Sequence, residues 1–283
     1  MTELRPPVPS DAALVAQLRS RYAPELLTAE RVLREWAAPG FDLGRDARIG
    51  DGGYVAAAWD ADTDIRTWIE LHGDEPEALL QWALDRATAP RVFSGGWEDA
   101  RQEKRAIEDA GFRLVRHSYR MAIDLHDAPT EPALPGDLEL DPFVAGDERA
   151  VYDVHMETFE DSWEHLREPY ERWRHWTIER PGFDPDLWLL ARDGEEIAGI
   201  VLGRVHEEDP TIGWVAVLGV RRGWRRRGLG EALLRAAFAT LHRRGCRRIV
   251  LGVDAESLTG AHRLYERVGM HVAARFDVYE KLA

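Results

Sequence analysis

The stretch from Ile212 to Arg244 constrains the fold more than any other part of the chain. Ile212–Val220 is an apolar run short enough to be a buried strand. A turn rich in Arg and Gly follows, and Leu218–Gly230 reads LGVRRGWRRRGLG. Gly228–Arg244 then reads as a helix, with Leu229, Leu233, Ala237 and Leu241 at four-residue intervals on one face and Gly245 placed as its C-cap. The start of a helix leaves backbone N–H groups unpaired and carries partial positive charge, and a phosphate satisfies both. Gly228 and Gly230 let a diphosphate approach the main chain closely. Arg221, Arg222, Arg225, Arg226 and Arg227 concentrate positive charge in a chain whose formal net charge is −14. The loop is neither a Walker A motif, lacking Gly-Lys-Ser/Thr, nor a Rossmann fingerprint, lacking Gly-x-Gly-x-x-Gly.

Strand and helix signals alternate on both sides of one break. His126–Asp137, HDAPTEPALPGD, carries three prolines and no apolar periodicity, so it reads as a linker. It predicts a first domain over 1–125 and a second over 138–283. In the second, strands are expected at Leu138–Phe143, Leu187–Ala191, Ile197–His206, Ile212–Val220, Ile249–Val253, Val272–Ala274 and Asp277–Lys281. Helices are expected at Asp147–Phe159, Tyr170–Glu179, Gly228–Arg244 and Thr259–Val268. The first half follows the same order. Its helices are expected at Asp11–Ser20, Ala29–Ala38, Pro76–Ala87 and Glu98–Asp109. Its strands are expected at Gly53–Trp59, Ile65–Leu71, Arg91–Phe93, Phe112–Val115 and Ser118–Leu125. The ends of the halves also align: AIEDAGFRL (Ala106–Leu114) matches LYERVGMHV (Leu264–Val272) at Glu108 with Glu266 and Gly111 with Gly269. Matching order and matching ends point to an internal duplication.

Arg225-Arg226-Arg227-Gly228-Leu229-Gly230 after a strand resembles the signature Arg/Gln-x-x-Gly-x-Gly/Ala of the GNAT superfamily of acyl-CoA N-acetyltransferases. Leu218-Gly219-Val220 resembles that family's Leu-x-Val strand end. Leu264-Tyr265-Glu266-Arg267-Val268-Gly269-Met270 resembles its Leu-Tyr-x-x-x-Gly-Phe segment, one strand downstream. The tandem order resembles the mycothiol synthase type of arrangement, with a degenerate first copy. The resemblance implies an α/β (α+β) fold of two tandem GNAT-like domains, each a mixed, mostly antiparallel twisted sheet flanked by helices. It implies acetyl-CoA as co-substrate, its diphosphate held by backbone N–H groups from Arg226 to Glu231. Its pantetheine arm would pair with the Leu218–Val220 backbone. The thioester would sit where that strand and Ile249–Val253 part.

An alkyl amine of ordinary pKa around 10 must lose a proton before it attacks a thioester, and the leaving thiolate gains from a proton donor. Tyr265 matches the family's acid position. The family often places a Glu base where this chain has Trp214. Glu207, Glu208 and Asp209 are nearby, in a segment expected to be a solvated hairpin loop. Glu157, Glu160 and Asp161 lie in the segment that usually walls the acceptor pocket; they could take the proton through water or hold a cationic substrate. Ser257 stands where the family often has Asn on the pantetheine arm, with Asp254 and Thr259 as alternatives. Trp163, Trp173, Trp176 and Trp188 could line an acceptor pocket, although such spacings are commoner in cores. The first half has Leu71-His72-Gly73-Asp74-Glu75-Pro76 in place of the phosphate loop. Two acids and no Arg there would repel a diphosphate, so that half is expected to shape the acceptor cleft and to make weak or no catalytic use of acetyl-CoA.

The leading expectation is N-acetylation of a primary amine on a small molecule, a cysteinyl pseudodisaccharide being one candidate. Trp214 and Ser257 count against mycothiol synthase itself. Protein lysine or N-terminal acetylation and a non-catalytic acyl-CoA sensor are the alternatives. The acidic balance argues against nucleic acid as a partner. One cysteine, Cys246, excludes an internal disulfide, and His155, His165 and His175 lack compact ligand spacing, so no metal is expected. No apolar run reaches the roughly 18 residues of a membrane helix. The polar Met1–Asp11 does not read as a secretory signal, and a cytoplasmic monomer or homodimer is expected.

Overall fold

The chain folds into two compact units, Met1–Tyr119 with Ala274–Ala283, and Arg120–Ala273. In this computed structural model the described residues are 4–38, 40–50, 52–59, 66–130, 132–257 and 260–282, the side chains of 58 and 59 excepted. The first unit runs α1 (Ala12–Ser20), α2 (Ala29–Trp36), α3 (Leu43–Asp46), β1 (Ala47–Gly50), β2 (Gly53–Trp59), β3 (Arg66–Gly73), α4 (Pro76–Leu84), β4 (Arg91–Trp97), α5 (Arg101–Asp109) and the start of β5 (Arg113–Asp124), which continues in the second unit from Arg120. The second runs β6 (Glu139–Pro142), α6 (Glu148–Phe159), α7 (Tyr170–Thr177), β7 (Trp188–Asp193), β8 (Glu196–Val205), β9 (Ile212–Val220), α8 (Leu229–Arg243), β10 (Arg248–Asp254), α9 (Ala261–Arg267) and β11 (His271–Leu282).

In each unit the strand pairing is mixed and mostly antiparallel, with helices flanking the strands. In the first unit the strand order is β1-β2-β3-β4-β11, with only β3 and β4 parallel. In the second it is β5-β10-β9-β8-β7-β6, with β9 and β10 parallel and β6 to β9 antiparallel. The repeat extends to the opening strand. β6 pairs with β7 in the second unit, and an isolated antiparallel bridge from Arg5 to Ile49 of β1 stands in the same place in the first.

Packing follows the apolar periodicity. In the first unit Ile69, Leu71, Leu80 and Ile107 form a core with α4 and α5, while Val15, Val32, Ile49 and Tyr54 form another with α1 and α2. In the second unit Tyr152, Trp173, Trp188, Ile200 and Val217 fill the α6–α7 side. Leu229, Leu233 and Leu241 of α8 are buried on the opposite face, over Gly199, Gly203 and Gly213. Each such leucine contributes roughly 1.5–3 kcal/mol of transfer free energy.

Two expectations are corrected. The sequence suggested paired short strands at the end of each half, but β5 and β11 are each one unbroken strand of 12 residues. Neither Arg116-His117 nor Arg275-Phe276 supplies a glycine or proline to turn the chain. The small β1 and α3 were not foreseen. β11 also belongs by packing to the first unit from Ala274 onward, where Phe276–Leu282 pairs with Trp97–Arg91 of β4.

Candidate active site

The second unit contains a wedge between its two parallel strands. β9 and β10 pair only from Ile212 with Arg248 to Trp214 with Val250, and then β9 continues to Val220 and β10 to Asp254. One residue above the vertex β9 is bulged: Val215 is opposite Gly203 and Val217 opposite Leu202, leaving Ala216 without a partner residue on β8. Such a bulge reorients a strand locally. Beyond it, the Arg221 amide donates to the Ala198 carbonyl at 3.0 Å. Hydrogen-bonded and non-bonded pairs alternate in an antiparallel ladder, so Leu218 and Val220 turn their own amides and carbonyls away from β8, into the wedge. Gly219 is buried between them, and a Cβ there would lie 2.4 Å from the Thr158 hydroxyl oxygen.

The wedge leads to the arginine loop. Gly228 caps α8 with φ 88° and no side-chain hydrogen bond, so the amides of Leu229, Gly230 and Glu231 have no intrahelical acceptor. Arg226 also sits in the left-handed region, at φ 60°. Alternation of that kind turns successive amides into one concavity suited to an anion. A Cβ on Gly228 meets nothing within 4 Å, whereas on Gly230 it would touch Leu264 at 3.4 Å and Val220 at 3.6 Å. Gly228 is thus required by backbone conformation, and Gly230 marks close packing of the loop on α9.

The loop's arginines divide into two sets. Arg225 is an internal clamp: its Nε donates to the Val220 carbonyl at 2.9 Å, Nη1 to Asp161 at 3.0 Å and Nη2 to the Thr158 carbonyl at 3.4 Å. Arg221 donates to Glu157 at 2.8 Å and Glu196 at 2.6 Å, and Arg222 to Asp161 at 2.8 Å, with Glu160 3.7 Å away. The Asp161 carboxyl is held below its ordinary value by hydrogen bonds from Arg225 and then Arg222. Arg226 and Arg227 are exposed and make no ion pair among the described residues. The expectation of five cations facing a diphosphate is therefore corrected. Three of them are consumed in tying the loop to the end of α6, and Glu157 and Glu160 face those arginines.

Tyr265 lies on α9 directly after Leu264, whose side chain approaches Gly230. It is buried, and burial pushes its phenol up to about 12, so it stays protonated at neutral pH. Ser257 follows β10, its amide donating to the Asp254 carbonyl at 3.2 Å. Thr259 lies outside the described residues. Trp173 and Trp188 are core residues, while Trp176 is 40% exposed.

Two features near the site escaped the sequence reading. Glu208 is not a solvated loop acid: its carboxylate is nearly buried, 3.2 Å from the buried His206 ring. His155 on α6 accepts a hydrogen bond from the Trp173 indole at 2.9 Å through Nδ1, and burial, then His165, lower it to about 4. Nothing in residue spacing marks either pair, because each depends on which face of an element is covered. Among the described residues no group of three or more His, Cys, Asp or Glu could hold a metal ion. None of the described helices is long and apolar enough to cross a membrane.

In the corresponding place in the first unit the strands also part, but side chains of the chain itself hold the backbone groups there. β3 and β4 pair from Arg66 with Arg91 to Ile69 with Ser94, and there the Ser94 hydroxyl donates to the Ile69 carbonyl at 2.9 Å. The buried carboxylate of Glu103 accepts the Gly73 amide at 3.2 Å. Pro76 opens α4 and removes one helix-start amide. Asp74 is paired with Arg21.

Comparison with known proteins agrees with this geometry. A profile of the acetyltransferase (GNAT) family matches residues 149–270. The structure of a GCN5-related N-acetyltransferase from Sphaerobacter thermophilus superposes with a TM-score of 0.81 at 32% identity, over 99% of this chain and 95% of that one. A tandem GNAT protein of the clavulanic acid biosynthesis pathway superposes with a TM-score of 0.76 over 100% of this chain and 98% of that one, and at 15% identity it shows the fold alone. The mycothiol acetyltransferase of Thermobispora bispora is 34% identical over 174 residues, 56% of this chain and 56% of that protein. That of Actinosynnema mirum is 32% identical over 205 residues, 68% of this chain and 63% of that protein. The chain thus spans little more than half the length of the first of these relatives.

Proposed function

We propose that this chain, which belongs to the GNAT acetyltransferase family, uses acetyl-CoA in its second unit to acetylate a primary amine of a small molecule. The observation that carries the reading is the wedge between β9 and β10, open at the uncapped start of α8. That family uses acetyl-CoA, whose thioester when bound supplies an acetyl group to an amine nitrogen and releases the coenzyme as its thiolate. The residues present fit it. The amides of Leu229, Gly230 and Glu231 would hold the diphosphate, with Arg226 and Arg227 adding charge at the rim. The Leu218 and Val220 backbone would pair with the pantetheine arm as an added strand would. Arg225 keeps the loop in register by holding the Val220 carbonyl and Asp161. Tyr265, protonated at neutral pH, would supply a proton to a departing thiolate. Arg221 and Arg222 hold Glu157 and Glu160, so those two carboxylates would fix the loop and the end of α6 before any role with the acceptor.

The mycothiol acetyltransferases among its relatives support a small-molecule acceptor over a protein one. Thiol release from acetyl-CoA, measured against a panel of small amines, amino-sugar conjugates, cysteinyl sugars and lysine peptides, tests the reading. Turnover on small amines is the expected result. Turnover on peptides alone, or tight coenzyme binding with no turnover on any amine, would overturn it.

A further inference from the structure

Trp214 is the last residue of β9 paired to β10, so its ring marks the vertex of the wedge. Its neighbour Gly213 faces α8, where a Cβ would lie 3.0 Å from Leu241. Successive residues of a strand point to opposite faces, so the indole projects on the α6 side. Two guanidinium groups cover it. Cζ of Arg204, directly opposite on β8, is 4.8 Å from the ring centroid, and Cζ of Arg120, from β5, is 4.1 Å away. Arg120 reaches the ring by crossing β10 at Gly252, where a Cβ would stand 3.1 Å from its Nη1. All three side chains are half-buried.

We propose that the Arg120–Trp214–Arg204 stack is an anion seat for the acceptor, and that the acetylated amine therefore carries a carboxylate or a phosphate group. This rests on the acetyltransferase reading of the same wedge. The seat is separate from the one at the arginine loop. Trp214 and Val220 are six residues apart on one strand, roughly 20 Å at about 3.3 Å per residue. Stacking uses the flat face of a guanidinium rather than its N–H edge and fixes its orientation, which suits planar recognition of an acid. Partial burial strengthens the attraction relative to open water. The same two charges also act on the acceptor's nitrogen: like charge nearby disfavours an ammonium and favours the neutral amine that attacks. A tryptophan clasped by two arginines thus replaces a carboxylate base with a positive field that binds the acid and lowers the pKa of the amine beside it.

The test compares matched acceptors in the thiol-release assay: L-amino acids against their carboxamides, and 2-aminoethyl phosphate against ethanolamine. The acid-bearing member of one pair should show kcat/KM about tenfold higher or more, as expected of a charge-assisted contact. The pair that discriminates identifies the carboxylate or the phosphate as the group recognised. Arg204→Gln, and separately Arg120→Gln, should bring the ratio to within about twofold while leaving the KM for acetyl-CoA unchanged. Equal kcat/KM within both pairs, or a preference that survives both substitutions, overturns the proposal. A readout that needs no turnover is calorimetry in the presence of coenzyme A, with N-acetylglycine against N-acetylglycinamide and with inorganic phosphate. Tighter binding of N-acetylglycine or detectable phosphate binding, lost in Arg204→Gln, supports the seat even if no amine turns over and the acetyltransferase reading fails. Binding of none of the three probes, or binding unchanged by both substitutions, overturns it.

Discussion

The wedge between β9 and β10 and its counterpart between β3 and β4 are built from the same order of elements, yet in the first unit side chains of the chain itself hold backbone groups at that place. In the second unit the parallel strands separate after three paired residues, and the amides at the start of α8 lack partners. In the first, pairing runs over four, and a serine hydroxyl occupies the carbonyl at the last of them. A carboxylate from α5 holds the last amide of β3, and a proline deletes one at the start of α4. The backbone groups of such a place are therefore taken up by a few polar side chains without altering the fold. Glu103 stands as a built-in anion near the place where the second unit would take an external one.

The sharpest way to break this comparison is the phenol, because the aligned position in the first unit is Ile107. Tyr265→Phe should lower kcat about 100-fold with the KM for acetyl-CoA little changed, as for loss of a general acid. A variant with full kcat would end the role assigned to Tyr265. Next come the loop glycines. Gly228→Ala forces a side chain into the left-handed region at roughly 1–2 kcal/mol, so coenzyme A affinity should fall about tenfold by calorimetry. Gly230→Ala should stay within about twofold, because its Cβ meets only ordinary contacts. The titration should also give one coenzyme per chain; two would show that the first unit also takes one. Glu103→Ala strands the Gly73 amide and should lower stability by about 1 kcal/mol in urea without adding a second coenzyme site.

The smallest effect is a difference in acid sensitivity. His155 in the second unit is depressed from 6.5 to about 4, chiefly by burial. Its contribution is complete above 6.5 and is lost as pH falls from there to about 4. In the first unit burial raises the Glu70 carboxyl, but the charge of Arg19 and the hydrogen bond from His72 outweigh it and bring it from 4.5 to about 2. That contribution is complete above 4.5 and lost as pH falls towards 2. Calorimetric melting across pH should show His155→Gln flattening the upper window and Glu70→Gln the lower one. If both substitutions flatten the same window, the two units are not independently sensitive.

The parts legible in the sequence were those set by local chemistry. Ile212–Val220 and Gly53–Trp59 match β9 and β2 residue for residue, because each is an apolar run bounded by turn residues. The loop at Arg225–Gly230 was found because left-handed glycine and an uncapped helix start leave a pattern in residue type. What remained hidden depends on contacts far apart in the chain. Arg221 and Arg225 read as ligand-binding cations, and only the approach of α6 shows that Glu157 and Asp161 hold them. Trp214 read as a lost base, since nothing in its own strand reveals that Arg120 crosses Gly252 to reach it. The choice of sheet for β11 was equally invisible: its alternation suits either neighbour.

That choice has a consequence during synthesis. β4 acquires its antiparallel partner only from Phe276–Leu282. A nascent chain that has emerged as far as Asp124 carries every helix of the first unit but leaves one edge of β4 unsatisfied. An uncovered strand edge invites pairing with other chains. The first unit therefore cannot mature on the ribosome ahead of the second, and translation must pass nearly 180 residues beyond β4 before that edge is sealed.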